Sequence, residues 1–61
     1  MNTEAERQTF TAALWAKHGD DLPRYIATRV GEQVTAGDLG GVGFWRDIAA
    51  RAEAMMRSPL Q

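Results

Sequence analysis

Apolar residues recur at helical spacing in three stretches, separated by two short polar or glycine-bearing joints. Phe10, Ala13, Leu14 and Lys17 follow the i, i+3, i+4, i+7 spacing of one helical face. Leu22, Ile26, Val30 and Val34 recur every four residues and form a second ridge. Val42, Trp45, Ile48, Ala49, Ala52, Met55 and Met56 form a third face, widened by Phe44 to an arc of about 160° on a helical wheel. No stretch alternates with the period of two that marks a strand.

The joints carry helix stop and start signals. Thr3 and Glu6 stand three apart, as in a capping box. Gly19 stops the first stretch. Asp21 is the expected cap of the second, with Pro23 in the first turn, where no N–H is needed. Gly37 supplies the left-handed residue that closes a helix, and Asp38 can accept from the free N–H groups that begin the next. Ser58-Pro59 ends the third stretch and Leu60-Gln61 forms a tail. The pattern predicts an all-α fold, a compact three-helix bundle with tight turns, in one domain with helices over 4–18, 22–36 and 39–57. The expected core is Phe10, Leu14, Ile26, Val30, Val34, Trp45, Ile48, Ala52 and Met56.

A chain of 61 residues buries only about 60% of its unfolded surface. A partner or a second copy would add to so thin a stability margin. Seven basic and eight acidic residues give a net charge of −1, too weak a field to attract nucleic acid or an anionic membrane. There are no cysteines, which rules out disulfides and thiolate metal sites. The polar N-terminus is unlike a signal peptide, and no apolar run approaches the roughly 20 residues that span a bilayer. These features favour a cytoplasmic protein.

The chemistry-bearing residues are sparse. The run from Gly37 to Gly43 is glycine-rich, but no strand precedes it and no Lys-Ser or Lys-Thr follows, so it lacks the context of a phosphate loop. His18 with Asp20 and Asp21 offers too few convergent ligands for a metal. His18 is the sole histidine, and no serine or cysteine nucleophile pairs with it. No catalytic residue, cofactor or metal is therefore expected, and a pocket of about 300 Å³ would be hard to carve from so small a core. The second and third stretches resemble a helix-turn-helix. Yet the N-terminal end of the third offers Asp38, Gly40, Gly43 and Asp47, with Arg46 as the nearby cation, a poor set for reading DNA.

What remains is surface for other proteins. Tyr25, Arg29 and Gln33 form a strip along the second ridge, and Tyr and Arg are common interface anchors. Arg29 can equally lay its stem along the core edge and pair with an acid. Trp15 lies about 140° from Phe10 on the wheel, so it is either covered by the third helix or exposed as a binding surface. Phe44, Ile48 and Met55 line one edge of the third arc beside Arg51, an edge that a symmetric homodimer through helix three would bury. The expectation is a small non-enzymatic interaction module, an adaptor or regulator with a protein partner to be found. The alternative is a nucleic-acid-binding regulator of helix-turn-helix type.

Trp15, His18-Gly19, Pro23, Ile26-Ala27, Arg29, Gly31, Ala36-Gly37-Asp38, Gly41, Trp45, Ile48-Ala49 and Arg51 together resemble a family of short, uncharacterised bacterial proteins. The resemblance spans about residues 12 to 53. It implies a small helical domain from a bacterium, a proteobacterium in particular, and no catalytic residues. The Gly37-Asp38 joint also looks like the helical pair of a tetratricopeptide repeat, although a solenoid needs about three copies.

Overall fold

A computed structural model describes residues 3–57. The expected stop at Ser58-Pro59 and the tail Leu60-Gln61 lie outside the described residues. Three helices make up the architecture: α1 (Glu4–His18), α2 (Leu22–Ala36) and α3 (Leu39–Arg57). A single turn of 3₁₀ helix, Gly19–Asp21, joins α1 to α2. The fold is all-α, and there is no strand among the described residues.

The caps that fix these bounds are mostly those written in the sequence. Glu6 N–H donates to Thr3 Oγ1 at 3.1 Å, and Thr3 N–H donates back to Glu6 Oε1 at 3.2 Å, a complete capping box. Gly37 is left-handed at φ 72°. Its N–H bonds to Val34 O at 3.0 Å, and Asp38 N–H to Gln33 O at 2.9 Å. These are the two bonds of a Schellman motif, which satisfies the carbonyls that a helix end leaves open. Asp38 Oδ1 then accepts from Gly41 N–H at 2.9 Å and opens α3.

Asp21 does not cap α2, contrary to expectation. Its backbone is already right-handed helical, and its side chain makes no cap bond. The 3₁₀ turn runs directly into α2, so there is no extended residue for a cap to occupy. Asp21 instead lies 3.6 Å from Arg24 Nε.

α3 is the central helix. It packs against both α2 and α1 more extensively than those two pack against each other. Among the described residues, the buried side chains are Leu14, Leu22, Ile26, Ile48 and Ala52, joined by Thr11. Phe10, Trp15, Tyr25, Val30, Phe44, Trp45 and Ala49 pack around them. Thr11 is 0% exposed and was not expected inside. Its hydroxyl donates to Arg7 O at 2.7 Å, which removes the cost of burying it.

Two faces are rotated relative to the sequence reading. On α1, Ala13 and Lys17 are exposed, and the buried side is Thr11 and Leu14 flanked by Phe10 and Trp15. Leu14 is shared by both candidate stripes. The wider one, which carries Trp15, is the one that packs inward. On α2, Val34 is 61% exposed and is not core. A four-residue step advances about 400°, so a ridge of such steps drifts by about 40° each time. Three steps from Leu22 carry Val34 roughly 120° away, out of the interface. Gln33 and Arg29 lie within about 20° of Leu22 by the same geometry, and both are half-buried. Met56, also expected in the core, is half-buried at its margin.

Candidate functional site

α1 is held to α3 by a band of rings and arginines. Phe10 lies 5.9 Å from both Phe44 and Trp45, and Phe44 meets Trp45 edge-on at 5.4 Å. Such tilted contacts match ring edges to ring faces. Arg7 sits over the Phe44 ring at 4.9 Å. Its guanidinium also donates to Asp47 Oδ2 at 2.9 Å. Arg51 Nε donates to the same oxygen at 3.1 Å and reaches Gln8 Oε1 with Nη1, also at 3.1 Å. One carboxylate on α3 thus gathers an arginine from α1 and one from its own helix.

The hydrogen bond from Arg7, then that from Arg51, holds the Asp47 carboxyl below its ordinary carboxylate value. A carboxyl lowered by folding contributes stability above its unfolded value, near pH 4, and loses it as pH falls through the lower folded value. Asp47→Asn should therefore melt below the wild type at neutral pH. The gap should close on acidification below about pH 4. Thermal melts of both proteins from pH 7 to pH 2 check this. A gap that stays constant across the range would show that Asp47 acts by packing alone.

α2 meets the end of α1 through Tyr25. His18 stacks on the Tyr25 ring at 4.1 Å, and Tyr25 meets Trp45 edge-on at 6.0 Å. Arg29 lies over Tyr25 and donates through Nε to the Tyr25 hydroxyl at 3.0 Å. It also pairs with Glu32 at 3.0 Å. That hydroxyl first, and Glu32 second, raise the arginine above its ordinary value. Arg29 therefore matches the core-edge alternative, stem along the fold and head paired with an acid. Gln33 lies over the backbone of Gly41, where an added Cβ would overlap its side-chain amide and stand 2.9 Å from Asp38 Oδ2. The glycine lets α2 and α3 close together at their joint.

These contacts relocate the candidate interface. Ile48 is 0% exposed, so it is interior and not part of an open edge. Phe44 and Arg51 are engaged by α1, and Met55 is half-buried beside them. The edge named from the sequence is the seam that α1 covers. Trp15 packs on the core and is not an exposed tryptophan. Among the described residues, the exposed large apolar side chains are Val34 and Leu39, at the two sides of the α2–α3 joint.

An open concavity lies on the other side of α3. A groove of about 500 Å³ runs between α2 and α3, and α1 contributes nothing to its lining. Its walls are Ile26, Ala27, Val30, Ala49, Ala52 and Met56. Arg46, Glu53 and Arg57 stand on the α3 side, and Pro23 closes the α2 side. A concavity of this size was not foreseen for so short a chain. Three of its lining residues, Ala27, Ala49 and Ala52, are small and leave space that larger side chains would fill. The signal was present in the sequence as alanines at i and i+3 on the third stretch. Its lining holds no histidine or hydroxyl. Among the described residues, no group of three or more His, Asp or Glu side chains could hold a metal ion. No described helix is long and apolar enough to cross a membrane.

The model of a family of unknown function, DUF6961, matches residues 5–58. The chain belongs to this family. The match takes in all of α2 and α3 and nearly all of α1. No curated protein and no solved structure matches the chain.

Proposed function

We propose that this protein is a small non-enzymatic interaction module, an adaptor or regulator, which seats an apolar helix of a partner polypeptide between α2 and α3. The groove carries this reading. From Arg46 to Arg57 it follows α3 for about 16 Å, or three helical turns. Its aliphatic walls suit the i, i+3, i+4, i+7 face of an amphipathic helix. Binding of this kind would also add apolar burial to a domain whose interior is small. The absence of cysteine fits the bacterial cytoplasm as the site of action.

Co-purification from the native host tests the reading, with Ala27→Arg as the comparison. Ala27 is exposed and lines the groove, so an arginine there obstructs the groove without touching the interior. A partner recovered with the wild type should fall at least about tenfold with the variant, the loss expected when a central contact is blocked. Equal recovery would place the contact elsewhere. A gel shift with duplex DNA at low salt covers the nucleic-acid alternative. Tight binding that weakens steeply as salt rises would favour it.

A further inference from the structure

The charges beside the groove form a pattern that complements itself. Arg46 and Glu53 are seven residues apart, two turns along one line of α3, and both are exposed. Arg46 has no ion-pair partner among the described residues. Glu53 pairs with Arg57 through Oε1 at 2.7 Å, which leaves its other oxygen to the solvent. The midpoint between positions 46 and 53 falls between Ala49 and Ala50, so only methyl groups stand where another helix would cross. A contact of two-fold symmetry requires each surface to carry its own complement. Two antiparallel helices related about that midpoint set Arg46 against the partner's Glu53, and Glu53 against the partner's Arg46.

We infer that the groove between α2 and α3 is occupied by a second copy of this chain, the two α3 helices crossing antiparallel at Ala49–Ala50. Each α3 then lies along the groove of the other, with Met56 and Val30 covered and two reciprocal ion pairs fixing the register. This self-complementarity favours a second copy over an unrelated helix, which would need neither the symmetric spacing nor charges of both signs. A net charge of −1 per chain opposes the pairing little. The inference rests on the groove being a helix-binding site and names its occupant.

Light scattering coupled to size exclusion, from about 10 μM to about 1 mM, tests it. The mass should climb from 6.7 kDa toward twice that value. Arg46→Glu and Glu53→Arg should each raise the dissociation constant about tenfold, because each places like charges together twice. The double variant R46E/E53R should return to within about threefold of the wild type, since its pairs are reversed and not lost. Circular dichroism should show unchanged helicity for Arg46→Glu, whose side chain is exposed and unpaired. A constant 6.7 kDa at the highest concentration would overturn the inference. So would a dimer indifferent to both reversals, or one that the double variant fails to restore. A strictly monomeric chain that still loses a host partner on Ala27→Arg would overturn only the second copy and leave the groove reading standing.

Discussion

Ile48→Ala is expected to cost about 2–5 kcal/mol, the range for emptying a buried aliphatic site. Ile48 is 0% exposed, on the helix that touches both others. A domain below about 70 residues holds only some 3–5 kcal/mol in total, so the variant should lose much or all of its stability. Val34→Ala removes a similar aliphatic side chain from a position 61% exposed. It should stay within about 0.5 kcal/mol of the wild type. Urea melts followed by circular dichroism measure both. Equal costs at the two sites would mean that α2 packs on the face its four-residue ridge suggests, and that Val34 belongs to the interior after all.

One substitution should have opposite signs at two glycines. Gly37 is left-handed at φ 72°, and a Cβ there costs about 1–2 kcal/mol. Gly37→Ala should be destabilising by that amount, through the turn between α2 and α3. Gly31 lies inside α2 in helical conformation, with open space where a methyl group would stand. Gly31→Ala should gain close to about 1 kcal/mol from helix propensity. Thermal melts of the two variants should therefore move in opposite directions. A gain at Gly37 would show that the joint can take another turn type, and the tight α2–α3 connection would lose its basis.

The features legible in the sequence are the local ones. Thr3 with Glu6, and Gly37 with Asp38, act within four or five residues of chain, so the start of α1 and the α2–α3 joint follow from them directly. The i,i+4 pairs Asp47–Arg51 and Glu53–Arg57 are readable for the same reason, and both form. Facing is harder to read. Leu14 belongs equally to a stripe with Lys17 and to one with Trp15, and only the position of α3 decides between them. The Arg7–Asp47 bond joins residues 40 apart, and no spacing rule reaches that far. Thr11 misleads because its polarity is cancelled by a carbonyl one turn back, which composition cannot show. The groove arises from what the alanines do not fill, whereas apolar patterning registers only what side chains cover.

The Schellman joint has a consequence for how quickly this chain finds its fold. Only Gly37 and Asp38 separate α2 from α3, so bringing these two helices together closes almost no loop and forfeits little chain entropy. Contacts between neighbours in sequence are formed early, and helical domains dominated by them fold in microseconds to milliseconds. The α2–α3 hairpin can therefore serve as the platform on which α1 docks, through Phe10 and Arg7. A protein with so small an interior opens often. The short connection leaves little chain entropy to give up each time the two helices reclose.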